Sequence, residues 1–377
     1  MDRYSKTGKR LTAVVLAFML LLASACLLSS CGKSEPSSTY KDTITVTDCE
    51  GRSVTVPQGS SRIAVLDSFT GEAMIMAGAG SQMCACPRGV SSDVILREIY
   101  PQLEEVTAAA SSGAVNIETL AEEGAEVAFI KESMYEGGSE TDKFDKLGIP
   151  YIVIGYETME DQIQMLKLIG TVCGDDAEET MGMITDYYEE TIQIAREHAE
   201  KIPNDAKVRV YHSINEIART DGMESIGTDW IEATGAVNVS SKLDTKVEGN
   251  DYQASLEQIY AWDPDVVICN AAETTDYVYR DSKWEGLRAV REKNVKTIPV
   301  GATRWGQRGS VETYFAILWL GCEIYPDVYS DIDLKKEVTD FYGDVLGVEV
   351  TDELYEKIIS GRDVRKEGNN TGAGKQE

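Results

Sequence analysis

The residues of this sequence best equipped for chemistry are aromatic and cationic side chains that follow short apolar runs: Arg88, Tyr135, Tyr156, His212, Arg219, Arg304 and Trp305. Guanidinium groups make charge-assisted hydrogen bonds to anionic oxygens, and aromatic faces stack on planar groups and attract cations. Together they suit recognition of a large planar or catecholate-like small molecule. No nucleophile-elbow glycine pattern, phosphate-binding glycine loop or triad spacing accompanies them, so no catalytic residue is assigned and no enzyme activity is expected. Each residue has a competing reading. Arg88 and Arg219 suit surface ion pairs in so acidic a chain, and Tyr156 suits a core cap with its hydroxyl in water. His212, one of only two histidines, is a candidate axial ligand for haem or a structural side chain. So few histidines argue against a zinc or manganese cluster, and no metal site is assigned. Trp230, Trp262, Trp284 and Trp319 read as packing residues.

These candidates need a scaffold, and the order of elements supplies one. Ile44–Val56 alternates apolar and polar residues around Asp48-Cys49-Glu50-Gly51, a hairpin signal. Strands are then expected at 62–66, 82–85, 127–130 and 151–154, with helices at 71–77, 116–123 and 159–173. After a long helix the order repeats: strands at 208–211, 266–269 and 297–300, helices at 229–233, 255–261 and 309–322. Alternating strands and helices imply mostly parallel sheets covered on both faces. The long helix spans 177–202, with Met181, Ile184, Tyr188, Ile192, Ala195 and Ala199 forming one stripe before Pro203.

The two halves can be laid over one another. Asn116-Ile117-Glu118-Thr119-Leu120 leads to Val127–Ile130 as Ser255-Leu256-Glu257-Gln258-Ile259 leads to Val266–Cys269, and each glutamate precedes its strand by nine residues. Ile149–Gly155 likewise matches Val295–Gly301. Two matches in the same order mark a duplicated lobe. The fold class is therefore α/β, with two similar lobes joined by a single long helix and a cleft between them. The boundaries are 42–175 for the first lobe, 176–204 for the helix and 205–362 for the second lobe, with a disordered tail at 363–377. Ligands of open α/β lobes bind beyond the carboxyl ends of the strands. That places the cleft on loops 67–69, 86–88, 131–135 and 155–156 of one lobe and 212–219, 270–277 and 304–305 of the other.

Arg3, Lys6, Lys9 and Arg10 precede an apolar run from Leu11 to Leu28, the pattern of an export signal. Its end, Leu28-Ser29-Ser30-Cys31-Gly32, resembles a bacterial lipobox, which implies a signal peptide at 1–30 and acylation of Cys31. The mature chain is then lipid-anchored rather than membrane-spanning, with a flexible tether at 31–41. The chain carries a net charge of −28, and losing a leader of net +3 deepens it. Such acidity argues against nucleic acid and anionic lipid surfaces as partners. The six cysteines beyond the lipobox are scattered, and Cys84-x-Cys86 lacks zinc spacing, so buried free thiols are expected.

Two α/β lobes joined by one helix, behind a lipobox and opened by Ile44–Asp48 and Val54–Pro57, resemble the helical-backbone (class III) substrate-binding proteins. These receptors deliver iron-siderophores, haem or cobalamin to ABC importers. The likeness covers about residues 42 to 360, including Asp263-Pro264-Asp265 and the run from Leu318-Trp319-Leu320 to Tyr325-Pro326. It implies an extracytoplasmic monomer that needs no cofactor and meets the membrane only through its lipid. The implied partners are an ABC permease dimer with its ATPase and a metal chelate, foremost a ferric siderophore or haem, with cobalamin as the alternative. The position of Trp305 resembles that of a cleft tryptophan in cobalamin receptors. Glu118 and Glu257 match the family's paired acids, which insert into arginine pockets on the permease. The rival from another class is a tetrapyrrole- or metal-cofactor-modifying enzyme on a similar two-lobe scaffold.

Overall fold

A computed structural model of the chain describes residues 42–111, 114–115, 117–138, 140–244 and 252–362. The expected leader, the tether with Cys31 and the tail from 363 lie outside the described residues. The first element is a hairpin of Thr43–Thr47 and Ser53–Pro57, with Thr43 opposite Pro57 and Thr47 opposite Ser53. The Asp48 carboxylate closes its turn by accepting the N–H groups of Glu50 at 3.1 Å and Arg52 at 3.0 Å. The same turn docks on the first lobe, where the Cys49 N–H donates to the Val153 carbonyl at 3.2 Å.

In the first lobe, the described strands lie in the order Ala114–Val115, Thr107–Ser111, Met83–Pro87, Ile63–Val65, Val127–Lys131 and Tyr151–Ile154. All neighbours run parallel except the outermost pair, Thr107–Ser111 with Ala114–Val115. The second lobe runs Tyr252–Gln253, Arg219–Thr220, Arg209–Ser213, Val266–Cys269 and Val295–Thr297. Its three strands from Arg209–Ser213 onward are parallel, Val237–Asn238 adds a further parallel partner to Arg209–Ser213, and the other two pairings are antiparallel. Central strands such as Val266–Cys269 are buried at every position, as a sheet covered on both faces requires.

One helix of 25 residues, Asp175–Ala199, connects the lobes, a length of about 38 Å. Asp175, Asp176 and Glu178 crowd its first turn and Arg196 and His198 its last, the charge order that the helix dipole favours. It starts two residues before the expected boundary and stops three earlier. The chain then turns so that Ile202 packs against Tyr325 and Tyr329. The stripe Ala177, Met181, Ile184, Tyr188, Ile192 and Ala195 is buried between Met159–Cys173 of the first lobe and Thr313–Ile324 of the second. Each large apolar side chain so buried contributes about 1.5–3 kcal/mol. Helix Thr313–Ile324 is apolar on all sides and buried from Thr313 to Gly321, the signature of an element at the centre of a core.

Among the described residues the six cysteines are free thiols. Burial pushes Cys173 and Cys269 up to about 12, which keeps them protonated and unreactive.

Candidate ligand-binding cleft

Two adjoining hollows open between the lobes at the carboxyl ends of the parallel strands. The larger, about 300 Å³, is lined by Asp67, Phe69, Lys131, Glu132 and Tyr156 of the first lobe and Arg308 of the second. The smaller, about 220 Å³, is lined by Glu72, Gly89 and Asp93 of the first lobe and Thr303, Arg304 and Gln307 of the second. Ser68 and Gly309 belong to both, so the hollows form one groove. The first-lobe contributors follow strands Ile63–Val65, Met83–Pro87, Val127–Lys131 and Tyr151–Ile154, each delivered by the strand-to-helix turn behind it.

Asp67 shows how local chemistry builds this wall. It caps helix Ser68–Met76, its Oδ1 accepting the Thr70 N–H at 2.8 Å. Its Oδ2 is out of contact with solvent and has no hydrogen-bond partner. Burial raises the Asp67 carboxyl above its usual range, opposed by the Thr70 hydrogen bonds and by Lys131. Glu132 is raised too, first by burial and then by Glu136.

The second lobe contributes one loop, residues 300–310, and that loop is held from beneath. The Glu312 carboxylate, fully buried, accepts the Thr303 N–H at 2.5 Å and the Thr303 hydroxyl at 2.9 Å, and also the Tyr342 hydroxyl. Burial pushes Glu312 up to about 7 against those hydrogen bonds. Thr303 and Ser310 pair across the loop at 2.7 Å. Gly306, at φ +65°, sits against Trp230, where a Cβ would come within 2.8 Å of the indole. The Trp230 Nε1–H donates to the Gly306 carbonyl at 3.0 Å. The same loop also ties the lobes. The Tyr156 hydroxyl donates to the Arg308 carbonyl at 2.5 Å, and Gln162 Nε2 to the Ser310 carbonyl at 3.1 Å.

Of the candidate contacts, Tyr156 and Arg304 line this groove. Arg88 is exposed at the start of a short helix whose next residue, Gly89, is in the wall. Tyr135 lies away from the hollows with the Arg52 guanidinium 5.1 Å from its ring centroid. Arg219 occupies the short antiparallel strand Arg219–Thr220, outside both hollows.

Two expectations are corrected by burial. Trp305 is 0% exposed and packs on Phe315 with ring centroids 5.0 Å apart. Its indole is core, because the loop folds inward there and leaves Arg304 and Arg308 to face the groove. His212 is 1% exposed, and both ring nitrogens are engaged, Nδ1 with Asp221 and Nε2 with Asn270, each at 2.5 Å. Its pKa is raised even though burial opposes that, because Asp221 favours the charged ring. No nitrogen remains to ligate a haem iron. Among the described residues, no cluster of three His, Cys, Asp or Glu side chains is placed to hold a metal.

Sequence reasoning missed Arg308, Glu72 and Asp93. Arg308 had a legible signal: it lies between Gly306 and Gly309, on the loop already marked by Arg304. Glu72 lies in helix Ser68–Met76 and Asp93 caps helix Val94–Ile99, and both reach the groove only through the packing of those helices. Glu118 and Glu257 are both exposed, each in the first turn of its helix, Ile117–Glu122 and Leu256–Trp262.

Comparison with known proteins agrees with this architecture. Residues 63–300 match the family described as periplasmic binding protein. The molybdate-binding protein MolA of Haemophilus influenzae is 24% identical over 346 residues, 85% of this chain and 94% of that protein. A periplasmic solute-binding protein from Veillonella parvula superposes with TM-score 0.70 at 25% identity, covering 84% of this chain and 97% of that one. CeuE of Helicobacter pylori, solved with a nickel–histidine complex, superposes with TM-score 0.69 at 17% identity, over 84% and 99% of the two chains. No helix among the described residues is long and apolar enough to cross a membrane.

Proposed function

The chain belongs to the periplasmic binding protein family, and from that premise we propose that it is the lipid-anchored receptor of an ABC importer, capturing a metal chelate between its lobes. The observation that carries this reading is the groove itself. Its walls come from both lobes and combine the Tyr156 and Phe69 rings with Lys131, Arg304 and Arg308, a mixture that accepts the oxygens and flat faces of an iron chelate. A ferric siderophore is favoured, and haem or cobalamin would enter the same groove without a ligand from His212. The role requires binding and release alone, with no covalent step.

A second reading has a specific support. The hollows are small, and MolA, similar over most of this chain, is named for molybdate; a compact oxyanion is therefore the alternative cargo. Thermal-shift measurements on the purified protein with ferric chelates, haemin, cyanocobalamin and molybdate distinguish these cargoes, because a ligand raises the melting temperature in step with its saturation. A shift with no metal-bearing species removes the proposal.

Glu118 and Glu257 serve as the permease contacts in this reading, supported by their exposure and their equivalent helical positions in the two lobes. Replacing both by Gln is expected to leave ligand affinity unchanged and to abolish uptake; normal uptake would remove the assignment. Acylation at Cys31 is tested by Cys31→Ser, which should release the protein from the membrane fraction.

A further inference from the structure

The charges lining the groove constrain its cargo more narrowly than the aromatic residues do. Asp67 and Glu132 line the larger hollow and Glu72 and Asp93 the smaller, against Lys131, Arg308 and Arg304. Four carboxylates face three cations, in a chain whose net charge is −28. Such a groove has no positive field with which to draw in a multiply charged anion. Each cation also has a carboxylate on the same hollow as a competitor for its hydrogen bonds, so an incoming anion must displace an existing attraction. Asp67 and Glu132 put two of these carboxylates on the larger hollow, where Lys131 and Arg308 stand opposite them.

We propose that the groove selects metal chelates of low or positive net charge and disfavours multiply anionic cargo such as a ferric tris(catecholate) or molybdate. This rests on the reading of the groove as the ligand site and specifies its cargo. Asp67 and Glu132, in the same hollow, supply the negative potential there. The arginines act as orienting groups that receive the chelate's oxygens in pairs with the neighbouring acids.

Titration calorimetry of the purified protein with three probes tests this: ferrioxamine B, a cationic ferric hydroxamate with an ammonium and amide donors; ferric tris(catecholate), a trianion; and molybdate, a dianion. Ferrioxamine B is expected to bind at least about tenfold more tightly than either anion, a difference of about 1.4 kcal/mol. Asp67→Asn keeps a capping side chain and removes the charge. It should weaken ferrioxamine B by about tenfold and leave ferric tris(catecholate) unchanged or tighter. Glu132→Gln should move both in the same directions by a smaller factor, which guards against a folding defect at Asp67. Tighter binding of either anion in the wild-type protein would overturn the inference and leave the receptor reading intact. If none of these probes, haemin or cyanocobalamin binds, both readings fall together.

Discussion

Trp305, the candidate ligand contact most clearly relocated by the structure, is best understood through what its burial costs to undo. Its indole occupies core space against Phe315, so Trp305→Ala leaves a cavity. The expected loss is about 3–5 kcal/mol in urea unfolding, far more than truncation of a side chain standing in an open groove would cost. Glu312 beneath the same loop carries a prediction of opposite character. Its folded pKa of about 7 stands above the ordinary carboxylate value, so the folded state holds its proton over a pH range where the unfolded chain has lost it. The stabilisation is fully present below the ordinary carboxylate pKa and is lost as pH rises through about 7. The groups that face it are Thr303, Tyr342, Asp93 and Tyr314, and none is a cation that would compensate the buried charge. Glu312→Gln is therefore expected to flatten the fall in melting temperature that the wild-type protein shows as pH rises from the ordinary carboxylate range to about 7. An unchanged slope would assign that fall to another group.

At the level of elements, the contact between the two helices flanking the junction sets how closely the first lobe sits on its connector. Gly170 of Met159–Cys173 faces the backbone helix so closely that a Cβ would lie 3.0 Å from the Met181 Cβ and 3.1 Å from the Glu178 Cα. Backbone atoms cannot swing away as the end of a side chain can. Gly170→Val is thus expected to cost about 1–3 kcal/mol by overpacking, measured by chemical denaturation, despite the better helix propensity of valine over glycine. The loop 300–310 is the second decisive element. Its anchors on Glu312, Trp230 and Trp305 make it a rigid wall, so its arginines are presented at fixed positions rather than found by the ligand.

Across the whole molecule, one hydrophobic core runs without a break from Val46 and Phe129 in the first lobe, through Met181 and Tyr188 of the backbone helix, to Phe315 and Ile358 in the second. Three hydrogen bonds reinforce it across the junction: Tyr156 to Arg308, Gln162 to Ser310, and the Met159 N–H to Asp229 Oδ2 at 2.8 Å. Wide opening would break packed core, which is bistable rather than elastic. Small-angle scattering is therefore expected to show no measurable change in radius of gyration between free and ligand-saturated protein. A clear contraction would mean that the junction hinges after all. A stiff junction also keeps Glu118 and Glu257 at a constant separation, as the proposed permease contacts require.

Much of this architecture was legible in the sequence, because periodicity and punctuation are local properties. The expected strand Tyr151–Ile154 and helix Met159–Cys173 coincide with the observed ones, since the periodicity of their apolar residues needs no distant partner to be recognised. The paired Glu118 and Glu257 motifs exposed the duplication for the same reason. Placement of side chains in the groove was a different kind of question. Arg304 and Trp305 are neighbours in one loop, yet one lines the groove and the other is sealed in the core. Which way each faces depends on Phe315, Trp230 and Glu312, residues whose approach only the folded chain creates. The order of residues by itself indicated a two-lobed α/β chain and, of the seven expected contacts, placed Tyr156 and Arg304 on loops that line the groove. Lys131 and Glu132 are neighbours in the sequence, but only tertiary packing brought Glu72, on helix Ser68–Met76, and Asp93, at the N-cap of Val94–Ile99, beside Arg304, and that pairing sets the charge of the smaller hollow.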